Sequence, residues 1–182
     1  MSQRAVGAWM FGKMPTLGDF VSRGLGQQAR DDLDTWLSQE MESARTEAGE
    51  GFEARYDAAP AWNFVECDDT GQWNGGALCA SQDRAGRRFP LIMAVAANDL
   101  TDAAALSEGC LATICQAFAE GWIPDQLVTA SVVPVPDCRW QPKGEEWALL
   151  TEDGPVMVLP GRYPQGVIGR MVEMVDDLRI PH

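Results

Sequence analysis

The sequence predicts an α+β fold: an α/β sandwich on a mostly antiparallel central sheet of about five strands, with flanking helices. Three observations carry this expectation. Residues 91–97 form an unbroken apolar run bounded by Pro90 and Asn98, too short to span a membrane and suited to a strand covered on both faces. Two strand-like segments, 60–67 and 73–81, precede it with short connections, which favours an antiparallel meander because parallel neighbours need a long crossover. Two further segments, 31–47 and 102–120, repeat apolar residues at three- and four-residue steps, the period of a helix lying on a sheet. The 182 residues read as one domain, 1–182, with a motif-bearing core over 6–122 and a Pro-rich part plus final helix over 123–182. A chain of this length buries roughly 70% of its unfolded surface.

In chain order, residues 6–11 suit a first strand ending at Gly12. Residues 12–24 are rich in glycine and contain Pro15, so they are expected to form an ordered loop with a tight turn near Gly18. Phe20 and Val21 would anchor this loop and leave Lys13, Asp19 and Arg23 as polar tips. The order of residues is not that of a phosphate-binding P-loop. The helix at 31–47 has Leu33, Trp36, Leu37, Met41 and Ala44 on one face, with acids in its expected first turn, where the helix dipole favours them. Gly49 and Gly51 end it, and 52–56 adds a short helical turn. Gly75-Gly76 inside the second strand marks a bulge or a close backbone approach. Asn98 to Thr101 caps the helix that runs to about residue 120, and Gly121 stops it. Six prolines fall within 125–165, with short strands expected at 146–151 and 155–159. Residues 167–178 have helical spacing. Trp36 and Trp62 are expected in the core; Trp140 and Trp147 are either core residues or anchors for a partner.

Composition excludes several chemistries. The single histidine is His182, so no mechanism or zinc site built on imidazole is expected. No cofactor or metal is expected either. Five cysteines without CxxC spacing read as reduced thiols in a cytoplasmic protein. Nothing at the N-terminus resembles a signal peptide, and no window has the length of a membrane span. The net charge of −13 argues against nucleic acid and anionic membranes as partners. Its distribution is uneven. Residues 1–30 hold four bases against one acid and residues 81–100 three against two, whereas residues 31–80 hold two bases against twelve acids and 101–182 five against twelve.

The two net-positive segments therefore carry the candidate site, provided that they meet in the fold. Residues 83–88 pack Asp83, Arg84, Arg87 and Arg88 around Gly86, whose freedom to adopt positive φ suits a turn entering the central strand. One reading is a hydrolase-type site, in which Asp19 and Asp83 divide acid and base roles while arginines hold an anionic substrate. Another is a recognition surface for an acidic or phosphorylated partner, since guanidinium forks match carboxylate and phosphate. A third is a charged hairpin whose ion pairs only order the loops.

Three ordered motifs add to this. Phe11-Gly12-Lys13-Met14-Pro15-Thr16-Leu17-Gly18-Asp19-Phe20-Val21-Ser22-Arg23-Gly24, then Pro60-Ala61-Trp62-Asn63-Phe64, then Ser81-Gln82-Asp83-Arg84-Ala85-Gly86-Arg87-Arg88-Phe89-Pro90-Leu91 together resemble the N-terminal domain of the TagF (ImpM) family of type VI secretion accessory proteins. The likeness spans roughly residues 6–100, with Asn63 standing where the pattern usually has arginine. The resemblance implies a cytoplasmic, non-enzymatic regulator that acts after translation by protein–protein binding, with the forkhead-associated scaffold of the secretion system as the expected partner. Combined with the charge reading, it nominates Lys13, Asp19, Arg23, Ser81, Asp83, Arg84 and Arg87 as the partner-binding residues.

Overall fold

The computed structural model describes residues 7–178. The described residues form a seven-stranded sheet, antiparallel throughout, from β1 (Ala8–Lys13), β2 (Phe20–Arg23), β3 (Trp62–Cys67), β4 (Trp73–Cys79), β5 (Leu91–Ala96), β6 (Glu146–Thr151) and β7 (Gly154–Pro160), in the order β2-β1-β5-β4-β3-β6-β7. The helices are α1 (Gln27–Ala48), α2 (Phe52–Asp57), α3 (Leu100–Glu120), α4 (Pro124–Thr129) and α5 (Val167–Leu178). The α+β class and the β3-β4-β5 meander match expectation.

The strand count is seven, not five. The stretch expected as a loop over 12–24 contains β2, four residues whose glycine-rich flanks hide them and whose strand character comes from pairing Phe20 with Lys13 and Arg23 with Met10. The Pro-rich part also joins the sheet, with β6 and β7 forming a hairpin added onto β3. A second correction concerns α1. It begins at Gln27, with Gly26 as an extended N-cap and no acid in its first turn, so Asp31 and Asp32 sit a turn further in than expected. Val6 and His182 lie outside the described residues.

Strand alternation builds two cores from one sheet. Met10, Val65, Ala77, Met93 and Val95 face α3, whereas Phe11, Phe64, Leu78, Ile92 and Trp147 face α1 and α5. The apolar run therefore serves both faces, as its lack of alternation requires. α3 lies close because Gly75 has no side chain: a Cβ there would meet the Ala103 carbonyl oxygen at 1.9 Å. The glycine pair thus marks a close approach, and the β3–β4 register runs through it unbroken. Trp140 and Trp147 are both buried, at 3% and 1% exposure, so both belong to the core. Asp99 caps α3 by accepting from the Asp102 N–H, and Gly121 closes the helix at φ 66°. No described helix is long and apolar enough to cross a membrane.

Candidate functional site

β1 and β5 are antiparallel neighbours, with Gly12 opposite Leu91. The loop leaving β1 and the loop entering β5 therefore meet at the same end of the sheet. Two cross-loop bonds join them: the Arg84 N–H donates to the Leu17 carbonyl at 2.8 Å, and Arg87 Nη2 donates to the Gly18 carbonyl at 2.6 Å. Gly12 permits the contact, since at φ 132° a Cβ would strike the Pro90 carbonyl oxygen at 2.0 Å.

Asp83 is the centre of this junction and is 2% exposed. Its Oδ1 accepts from the backbone N–H groups of Ala85 and Arg87, both at 3.0 Å. Its Oδ2 accepts from Arg87 Nε at 2.8 Å and lies 3.1 Å from Lys13 Nζ. The Asp83 carbonyl takes the Gly86 N–H, and Gly86 sits at φ 82°, so the turn is closed by main chain as well. Loss of hydration pushes the carboxyl upward, but the Arg87 backbone N–H, the Lys13 ammonium and the Arg87 charge together outweigh it and hold the group at about 2. Asp83 is thus a peg, ionised at neutral pH, that organises the loop.

The other nominated residues separate into two groups. Lys13, Ser81 and Arg87 belong to the peg. Lys13 is buried with its ammonium on Asp83 rather than at the surface, and Ser81 Oγ donates to the Lys13 carbonyl at 2.7 Å. Arg87 is shared between Asp83 and the surface. Arg84 lies beside Gly18 and has no side-chain hydrogen bond or ion pair among the described residues. Arg23 turns away to Asp125 of α4 at 2.7 Å. Asp19 is exposed and accepts its neighbour's N–H, from Phe20 at 2.7 Å. Of the four nominated cations, Arg84 and Arg87 are exposed at this junction, Lys13 is buried and Arg23 pairs with Asp125.

Two features of the site were not legible as such. Tyr56 Oη lies between the Ser81 N–H and carbonyl, at 3.2 and 3.3 Å, and burial pushes its hydroxyl pKa upward. Arg88 grips Asp57 with both Nε and Nη2 at 2.7 Å and reaches Glu53 at 3.3 Å, tying the loop to α2. Far from this loop, Glu66 is buried at the opposite end of β4, and only its isolation within Trp62–Cys67 hinted at it. Its pKa is raised, because burial outweighs Arg162 Nε at 3.4 Å.

An aromatic step completes the surface. Phe20, 46% exposed, packs edge-on to Phe89 at 4.8 Å between ring centres and stacks on Phe11 at 6.0 Å. Lys13 Nζ sits 4.9 Å from the Phe20 ring centre. A groove of about 430 Å³ opens beside these rings, toward α1.

Comparison with known proteins places this loop in context. The model of the TagF N-terminal domain, described as type VI secretion system-associated, matches residues 9–127. The chain belongs to this family. The matched span runs from within β1 through the Asp83 loop into α4, and ends before β6, β7 and α5. The fold is similar to the crystal structure of PA0076 from Pseudomonas aeruginosa PAO1, with a TM-score of 0.66 over 91% of this chain and 93% of that one, at 22% identity. At that identity the likeness speaks for the fold, and it extends past the TagF_N match into the C-terminal elements. No curated protein matches the chain.

Proposed function

We propose that this TagF_N protein is a cytoplasmic, non-enzymatic accessory regulator of type VI secretion, acting after translation by binding another component of the system, with its forkhead-associated scaffold as the first candidate. The family match carries the reading. The site is consistent with it: Arg84 and Arg87 project from a loop pinned at its base by Asp83, which is how a rigid scaffold presents contact residues. Five free cysteines suit a reducing compartment.

The donor set speaks against a hydrolase using Asp19 and Asp83. A general base needs a lone pair open to substrate and a pKa near the working pH. Asp83 has four donors on its two oxygens and is held at about 2. The test is capture of the purified scaffold by the full-length chain and by Arg84→Glu. Capture should be lost in the variant while its thermal unfolding stays that of wild type. Undiminished capture would remove this loop from the interface.

A further inference from the structure

We infer that a cavity at the Glu66 end of the sheet is a binding site for a small molecule carrying a primary ammonium group. The inference does not depend on the partner reading above, because this cavity and the Asp83 loop lie at opposite ends of the strands.

Strand register builds the floor. Glu66 pairs with Asn74, Asn74 pairs with Ala96, and the Ala96 N–H donates to the Gly7 carbonyl at 3.3 Å. Alternation puts this row on the α1 face, two residues along from Phe64, Gly76 and Ala94. Where the apolar core would continue, the row carries a carboxylate, an amide and two positions without bulk. Gly26 and Ala29 at the start of α1, and Arg162 and Tyr163 after β7, line the space that is left, about 430 Å³. That is room for a small ligand.

The polar groups of the floor are short of partners. Glu66 and Asn74 are each 6% exposed, yet Glu66 Oε1 and Asn74 Oδ1 accept no hydrogen bond among the described residues. Glu66 Oε2 has only Arg162 Nε at 3.4 Å, and Asn74 Nδ2 donates to the Gln72 carbonyl at 3.3 Å. Folded proteins rarely leave such groups unsatisfied. The raised pKa of Glu66 is what burial with too few donors produces. Asp68, which also lines the cavity, spends Oδ1 on its own turn through Thr70 and Gln72 and keeps Oδ2 open. Three acceptors without donors suit an ammonium, which has three N–H groups and accepts nothing.

Charge favours a cation as well. Glu66, Asp68 and Arg162 are the charged side chains of the lining, and Arg162 is divided between Glu66 and Asp69. Glu145 adds its charge beside Glu66, and Asp32 beside Tyr163. Against these carboxylates stand one guanidinium and the N-terminus of α1, worth about half a charge; Arg30 is engaged by Asp31. Among the described residues no group of three or more His, Cys, Asp or Glu side chains could hold a metal ion, so the donor set points to an organic cation.

The test titrates n-butylammonium into the full-length chain and follows the backbone amide NMR signals, with butanol, tetramethylammonium and calcium as comparison ligands. Saturable shifts confined to residues such as Gly26, Ala29 and Ala96 are expected, with a Kd on the order of millimolar for so small a probe. Butanol lacks the charge and tetramethylammonium lacks the N–H donors, so each should bind at least about tenfold more weakly. Glu66→Gln removes the charge and keeps the shape, and Ala29→Leu narrows the cavity from a helical position that accepts leucine. Each variant should weaken binding about tenfold. Arg84→Glu, at the other end of the sheet, should leave amine binding unchanged, so its effect on scaffold capture is read separately. Absent or unsaturable shifts, an equal response to butanol or tetramethylammonium, tighter binding of calcium, or full binding by folded Glu66→Gln or Ala29→Leu would each overturn the proposal.

Discussion

Two buried carboxylates stand at the two ends of β4, each facing an arginine, and they behave oppositely. Asp83, beyond the C-terminal end of the strand, takes two backbone N–H groups, an ammonium and a guanidinium, and its pKa falls to about 2. Glu66, which pairs with Asn74 near the other end, has Arg162 at 3.4 Å, and that guanidinium is shared with Asp69 at the same distance. Burial of Glu66 therefore prevails, and its pKa rises. An arginine nearby does not decide the state of a buried acid; the number of short, preorganised donors does. A turn supplies such donors from its own main chain, whereas beside Glu66, next to the end of β3, the Cys67 N–H is taken by Glu145 Oε1.

Substitutions can break this contrast, and the largest effect is expected at Asp83. Asp83→Asn leaves the Lys13 ammonium buried without its counter-charge, so thermal unfolding should fall on the order of ten degrees. Glu66→Gln should instead stay within about 1 kcal/mol of wild type in denaturant unfolding at neutral pH, because a buried ion with few donors contributes little net stability. Equal losses at the two positions would erase the distinction.

Acid titration sharpens it. Asp83 has a folded pKa below its ordinary 3.8, so its contribution is complete above that value and is lost as pH falls toward about 2. Glu66 has a folded pKa above its ordinary 4.5, so its contribution is complete below that value and is lost as pH rises through the raised one. Denaturant unfolding across pH should therefore show Glu66→Gln gaining on wild type as pH rises. Asp83→Asn should approach wild type only in strong acid. Smaller effects are expected at the loop surface. Arg87→Ala gives up the bonds to Asp83 and Gly18 and should unfold a few degrees early. Arg84→Ala should change denaturant stability by no more than about 0.5 kcal/mol. Because Arg87 is part of the peg, Arg84 is the variant that separates binding from folding.

Much of the frame was readable from residue order. The helix at 100–120, the meander and the final helix all follow from periodicity and from capping residues such as Asp99 and Gly121. Other elements were hidden for identifiable reasons. β2 has four residues between glycines, too few for periodicity to register, and exists because β1 is there to pair with it. The start of α1 moved because Gly26 supplies an extended N-cap without a capping side chain. In the site, the signature residues were visible but their division was not. Lys13 and Asp83 became interior, Arg23 left for Asp125, and Arg84 has no side-chain partner among the described residues. A charged letter in a loop carries no record of which opposite charge the fold brings beside it.

Residue order alone determined which segments alternate, which carry the excess positive charge, and where glycines interrupt or end an element. These are local properties, set by side-chain size, polarity and backbone freedom. Tertiary structure decided which of those charges became structural and which stayed open to a partner. That outcome depends on distances of a few ångströms between residues such as Lys13 and Asp83, seventy positions apart in the chain. Electrostatic energies change steeply over such distances and with burial, so only the assembled sheet could separate the buried peg from the exposed fork.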